Sequence, residues 1–310
     1  MTGVFASQPD AGLSWPALPL NAWRDTYQTL HLWTQIVGKI RLTLSPKVNH
    51  WWNVALYVSP CGLTTSPIPY GSATFEIQFD FVNHQLEIST SSGARARLAL
   101  SPQPVAVFYD KLMAALGSLD IHVAINTKPQ EIADPIPFEQ DNQHASYDPE
   151  YAHRFWRILL ATDVVLKEFR SGFLGKCSPV HFFWGSFDLC CTRFSGRPAP
   201  PRKGVITSEA YSQEVISAGF WPGAGIEGPA FYAYSAPSPA GLSEEPVRPG
   251  AAFWSKQLSE FILMYDYVRC AESPRVALLE FLESTYAAGA KLANWDRKAL
   301  ERNYTPADAA

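Results

Sequence analysis

The sequence predicts an α+β protein made of two diverged helix–antiparallel sheet–helix units packed together, an internal duplication. Three observations carry this. Stretches of helical periodicity flank runs of alternating strand pattern in each half. Three short motifs recur in the same order. The balance of 47% hydrophobic, 13% aromatic and only 17% charged residues provides for large buried surfaces.

In chain order, residues 1–20 read as a Pro- and Gly-containing arm. Asn21 is placed to cap a helix over 22–36, with Trp23, Tyr27, Leu30 and Thr34 on one face. Strand patterns follow at 38–44, 50–58, 73–82, 85–90 and 95–100, then a helix over 105–116 and a strand over 121–126, closing a first unit at 21–127. Residues 128–150 form a Pro- and Asp-rich connection. The second unit, 151–300, opens with a long helix over 151–173, for which Asp148-Pro149 is a start signal. Residues 180–194 read as one central strand, apolar on both faces. An insertion over about 195–250 contains a short helix at 208–218 and a strand at 231–235. A strand at 260–269, a helix at 274–295 and a polar tail at 301–310 complete the chain.

The echo links Gly38-Lys39, Ser45-Pro46 and His50-Trp51-Trp52 to Gly175-Lys176, Ser178-Pro179 and His181-Phe182-Phe183. It continues in the run around Asp80 matched by that around Asp266, and in Ser101-Pro102 matched by Ser273-Pro274. A duplication makes His50 and His181, Lys39 and Lys176, and Asp80 and Asp266 equivalent. The alternative is two halves that merely share helix–sheet–helix grammar.

Several function classes are set aside. A net charge of −4 leaves no basic field for phosphate backbones, so no nucleic-acid partner is expected. No apolar run is long enough to span a membrane and the N-terminal stretch lacks the pattern of a signal peptide. Five irregularly spaced cysteines point to reduced thiols and a cytoplasmic location. Cys177 and His181 stand too far apart on a strand to share a metal, Cys190 and Cys191 face opposite ways, and no metal site is expected. Cys177, following a lysine, is placed for a lowered thiol pKa. No Walker loop, no G-x-S-x-G elbow and no dinucleotide fingerprint is present, so the cofactor is left undefined.

The runs WPALPLNAWRDTYQTLHLWTQIVGKIRL, NHWWNVALYV, GKCSPVHFFWGSFDL, TRFSGRPAP and AGFWPG resemble the bacterial family of unknown function numbered 5996. The resemblance covers nearly the whole chain and supplies no mechanism. The family often reads Ser-His-Glu where this chain has Ser212-Gln213-Glu214, which removes the imidazole from any scheme that needs one there.

Three constellations could carry chemistry. Asp188 is a carboxylate in an apolar strand and needs a partner, either as a general base or as half of an ion pair. Phe182, Trp184, Ser186, Asp188 and Thr192 would share its face, with His181 at the strand's start. In the insertion, Arg193, Arg197, Arg202 and Lys203 surround a Pro-rich loop able to close over a carboxylate or phosphate. Behind it, Tyr211 and Glu214 would share a helical face as orienter and acid–base group, or as a solvent-facing pair, with Trp221 as a pocket wall. In the third, a hairpin turning at 45–49 would put Lys39, Arg41, Asn53 and Tyr57 on one charged sheet face.

The resulting expectation is a small-molecule enzyme acting on an anionic substrate in a cleft beside the second unit, where the insertion folds back on 180–194. Asp188, His181 and Glu214 would be catalytic, and Arg193, Arg197, Tyr211, Trp184 and Trp221 would bind substrate. The alternative is a non-catalytic ligand-binding or protein-interaction module.

Overall fold

The computed structural model describes residues 13–223 and 226–302. The arm before residue 13, the tail after 302, Ala224 and Gly225 lie outside the described residues. The chain is α+β, with two antiparallel sheets of six strands each. It divides into two compact units, and the division falls inside a long helix, so neither is a continuous stretch of sequence.

The N-terminal unit comprises Leu18–Leu160 and His181–Leu189. Its helices are α1 (Leu20–Leu44), α2 (Val105–Ser118) and the first part of α3 (Pro149–Ser171). Its sheet is built from β1 (Tyr57–Ser59), β2 (Gly62–Thr64), β3 (Ile68–Tyr70), β4 (Ala73–Asp80), β5 (Gln85–Thr90) and β6 (Arg95–Ala99). The order is β1-β2-β4-β5-β6, with β3 also paired to β4. Phe75, Ile77 and Phe79 of β4 alternate inward, as do Leu86 and Ile88 of β5, the period-2 pattern of a sheet with one covered face. Trp33 of α1 stacks on Phe108 of α2 with ring centroids 4.6 Å apart.

Helix α1 extends through the stretch expected to be a strand. Gly38 looks like a helix stop, yet it is helical because the Trp184 ring occupies the space of its absent side chain: a Cβ there would lie 2.2 Å from Trp184 Cδ1. Val37 and Ile40 continue the buried face, and the helix ends only at Ser45-Pro46. Tertiary burial has overridden the local β-branched composition of 36–43. The expected hairpin is therefore absent. Residues 50–58 are not one strand either, because His50 and Trp51 turn through left-handed backbone (φ 58° and 62°) before β1 begins. Residues 121–126 form no regular element.

Residues 180–194 also break. β7 (His181–Phe183) exchanges backbone hydrogen bonds with Leu56, both 2.9 Å. A turn at 184–187 follows, where Phe187 adopts φ 58°. Then β8 (Asp188–Pro198) begins, so Asp188 opens a strand instead of lying within one. Ser186 and Asp188 are thereby taken off the shared face expected of a single strand.

The C-terminal unit contains residues 13–17, Ala161–Val180 and 190–302. Besides β8 it holds α4 (Val205–Ala210), β9 (Gln213–Trp221), β10 (Ala230–Ala236), β11 (Phe253–Ser255), β12 (Glu260–Met264), α5 (Tyr265–Arg269), α6 (Pro274–Leu292) and α7 (Arg297–Leu300). The second sheet has the order β11-β12-β10-β9-β8-β7. α6 begins as its sequence predicts, Pro274 in the first turn and Ser273 accepting a hydrogen bond from the Val276 amide. Its Gly289 admits Ser235 Oγ and Ile216, which a Cβ would meet at 2.4 and 3.0 Å.

Two further expectations change here. The helix expected at 208–218 is α4 followed directly by β9, because Val215, Ile216, Ala218 and Phe220 bury as a strand. The strand expected at 260–269 ends at Met264 and gives way to α5. The echoed motifs fall in unlike structure: Lys39 is helical and Lys176 extended, His50 lies in a 3-10 turn and His181 in a strand, and Asp80 closes β4 while Asp266 sits in α5. The shared grammar is visible in both units; the residue equivalences are not.

Candidate active site in the N-terminal unit

A polar stripe on α1 builds the site. His31, Gln35 and Lys39 are spaced i, i+4, i+8 and share one helix face. All three are buried, Gln35 completely. Buried polar groups need partners, and these find theirs on backbone. Lys39 Nζ donates to Lys128 O at 2.5 Å and lies 5.6 Å from the Phe138 ring centre. Gln35 Nε2 donates to Gln130 O at 2.9 Å while its Oε1 accepts from the Gln130 amide at 2.7 Å. His31 Nε2 lies 2.9 Å from Gly185 O and 3.0 Å from Gln35 Nε2. The stripe thus clamps two otherwise irregular pieces of chain, 128–130 and the 184–187 turn.

Rings fix the turn from the other side. Phe187 projects among Tyr27 (5.1 Å), His31 (4.9 Å), Phe155 (5.1 Å) and Phe182 (5.2 Å). A phenylalanine in left-handed backbone is costly, and this burial holds it there. The side chain that emerges next is Asp188, buried and accepting a short hydrogen bond from Ser186 Oγ.

Beyond the clamped residues, Glu131, also in left-handed backbone at φ 54°, turns its carboxylate over Gly185. A Cβ on Gly185 would lie 3.2 Å from Glu131 Oε1. Glu131 is exposed as a residue, yet partial desolvation of its carboxyl over Gly185, and then the charge of Asp188, raise that carboxyl above its ordinary value. The same two causes, burial first, raise the Tyr27 phenol. Burial pushes the His31 imidazole down to about 4 against the opposing carbonyls of Gly185 and Trp184, so it is neutral near pH 7. Burial lowers Lys39 as well. One neutral imidazole, one elevated carboxyl and one buried carboxylate therefore surround a single turn.

The sequence-derived candidates divide between the units. Three lie in the N-terminal unit: Asp188 in this site, Trp184 against Gly38 with its Nε1 donating to Val54 O at 2.8 Å, and His181. His181 is fully buried, its Nε2 3.5 Å from Tyr57 OH and its ring enclosed by Trp52, Tyr57 and Phe183. The other five lie in the C-terminal unit. Arg193 is 2% exposed, its guanidinium 3.4 Å from the Phe169 ring centre and 4.3 Å from that of Tyr286, and it donates to Phe169 O. Arg197 bonds Glu214 Oε2 at 2.6 Å and terminates α6 by donating to Ala293 O and Asn294 O. Tyr211 OH meets Tyr234 OH at 3.0 Å, and Trp221 ends β9 half-buried. Tyr211 and Glu214 share no helix, since one follows α4 and the other lies on β9. Gln213 accepts from Lys176 Nζ at 3.2 Å. A small cavity of about 160 Å³ is lined mainly by Val215, Ile216, Ala236, Pro237 and Trp295, with Glu214 at its wall.

Sequence reasoning missed His31, Gln35 and Glu131. The i, i+4, i+8 stripe was the available signal, hidden by ending the helix at 36. Among the described residues no group of three or more His, Cys, Asp or Glu could hold a metal ion, and no helix is long and apolar enough to cross a membrane.

Fold and site together define an α+β protein with a carboxylate–imidazole cluster on a clamped turn. The chain belongs to the family of unknown function DUF5996, matched over residues 15–302. No curated protein and no solved structure matches it.

Proposed function

We propose that this protein is a small-molecule enzyme working by general acid–base chemistry, with Glu131 as the acid and Asp188 as the base. The observation that carries the reading is the Glu131 carboxyl set over Gly185, in the turn that leads into Asp188, whose charge, after desolvation, raises the proton affinity of Glu131. A carboxyl with raised proton affinity next to a buried carboxylate in the same turn is the material of an acid–base pair. Ser186 orients Asp188, and the α1 stripe with Phe187 supplies the rigid support that positioning needs. Neutral His31 adds no positive charge to the site. Of the basic residues that motivated an anionic substrate, Arg193 lies between rings, Arg197 pairs with Glu214, Arg202 lies over the Tyr211 ring, and these and Lys203 all belong to the C-terminal unit. The favoured substrate is accordingly a neutral or cationic polar molecule. We place the protein in the cytoplasm, a reading its five free thiols fit.

The test needs no substrate. Carboxyl carbon shifts followed by NMR should show Glu131 titrating above the ordinary glutamate position in the wild type. Asp188→Asn should bring it down, with melting unchanged. Glu131 titrating at the ordinary position in the wild type would sink the proposal. In a panel of small-molecule turnover assays, Asp188→Asn and Glu131→Gln should each lower any detected activity by about 100-fold or more.

The non-catalytic alternative draws on the C-terminal cavity. At about 160 Å³ it is smaller than the ~300–1,000 Å³ of typical ligand sites and mostly apolar, so it would take a small apolar group and turn nothing over.

A further inference from the structure

We propose that Cys177 and Cys191 form a reversible dithiol–disulfide couple, a redox modification site in the C-terminal unit whose oxidant is a low-molecular-weight disulfide. The two Sγ atoms stand 3.5 Å apart. Cys177 lies in an extended segment bridged antiparallel to β8, facing Arg193. Hydrogen bonds from Ser178 N to Thr192 O (2.8 Å) and from Phe194 N to Lys176 O (3.0 Å) close the ladder on either side of that pair. Cys191, two residues before Arg193 on β8, therefore projects from the same face and meets Cys177 diagonally. A disulfide needs about 2.05 Å between sulfurs, so the atoms must close by about 1.5 Å from their 3.5 Å separation, by side-chain rotation together with a small shift of the Cys177 segment against β8.

The two thiols are suited to different steps. Cys177 is half-buried and Cys191 fully buried. The hydrogen bond from Cys191, and then the charges of Arg193 and Arg170, lower the Cys177 thiol, while burial opposes them. The hydrogen bond to Cys177, with burial, raises Cys191. Arg193 contributes a cation that cannot leave: it is 2% exposed and packed on Phe169 and Tyr286, and its one carboxylate partner among the described residues, the half-exposed Glu283, stands 3.4 Å away. A thiolate beside fixed cations is the attacking group of disulfide exchange, and a buried thiol in contact with it is a resolving group needing no path to solvent.

The chemistry balances with oxidised glutathione as reactant. Cys177 thiolate attacks one of its sulfurs, the disulfide bond breaks, and one glutathione leaves as thiolate and takes a proton. Cys191 then loses its proton and attacks Cys177 Sγ, expelling the second glutathione. Two protein thiols are oxidised and one glutathione disulfide is reduced to two thiols.

The test treats folded, fully reduced protein with oxidised glutathione, alkylates the remaining thiols in acid and maps peptides by mass. A Cys177–Cys191 disulfide reversed by dithiothreitol is expected, while Cys191→Ser should stop at a glutathione adduct on Cys177. Formation of the adduct should have a pH midpoint below the ~8.5 of an ordinary cysteine. Both residues recovered as alkylated thiols while exposed Cys270 is glutathionylated would overturn the proposal. So would a disulfide through Cys190 instead of Cys191, or an unmodified Cys177 in Cys191→Ser.

Discussion

Acidification should weaken the fold through His31 in particular. Its imidazole falls from the ordinary 6.5 to about 4 because burial outweighs the carbonyls of Gly185 and Trp184. The folded protein thus prefers the neutral ring, whereas the unfolded chain binds a proton near 6.5. The associated stability is complete above pH ~6.5, declines as pH falls towards ~4, and is gone below that. At about 1.36 kcal/mol per pH unit, the displacement from 6.5 to about 4 amounts to about 3 kcal/mol. Glu131 acts with the opposite sign, since a raised carboxyl favours the folded state as pH falls. Wild type alone would therefore mix the two. Comparing wild type with His31→Gln by urea unfolding at about pH 7, 5.5 and 4 cancels Glu131 and the other carboxylates. The advantage of wild type should shrink by about 3 kcal/mol across the series, about half of it by pH 5.5. An advantage constant to within about 0.5 kcal/mol would refute the reasoning. So would an NMR titration in which the His31 ring protonates near its ordinary value.

Gly38→Ala should destabilise by about 1–3 kcal/mol in chemical unfolding, because overpacking against Trp184 exceeds the helix-propensity gain of about 1 kcal/mol. A stabilised variant would mean that Trp184 swings away freely, losing its bond to Val54 O. Arg193→Lys should lower thermal stability more than Arg193→Met: lysine keeps a buried charge without the flat guanidinium that lies on Phe169 and Tyr286, while methionine removes the charge and fills the space. The reverse order of melting temperatures would show that the charge itself stabilises the cluster.

The legible parts of the fold were those with strong local signals. The helices at 105–116 and 274–295 carry clear periodicity, and Ser273-Pro274 marks a start that the backbone uses. β4 and β5 alternate cleanly. The breaks came where tertiary contacts decide conformation. Gly38 reads as a helix end unless Trp184, far along the chain, is known to need its space. Phe187 gives no sequence hint of left-handed backbone, and without that turn 180–194 reads as one strand. For the site, Asp188 was visible because a carboxylate among apolar residues demands explanation. Its neighbours His31 and Glu131 were not, because the clamp joining them acts between side chains of α1 and backbone atoms of a segment without periodicity of its own. The arginine-rich stretch reads as a loop, whereas β8 runs on to Pro198 and Arg197 pairs with Glu214 in the neighbouring strand.

The α1 clamp has a consequence for mutational tolerance. Gln35 and Lys39 grip 128–130 only through its peptide groups: the Lys128 carbonyl and both the amide and carbonyl of Gln130. The side chains of Lys128 and Gln130 are exposed and are not what the helix holds. The segment's path is thus encoded largely on the helix, which leaves the identities at 128 and 130, though not that of buried Pro129, open to drift. Natural variants or a randomised library at 128 and 130 can alter charge and bulk beside Glu131 without disturbing how Glu131 is presented.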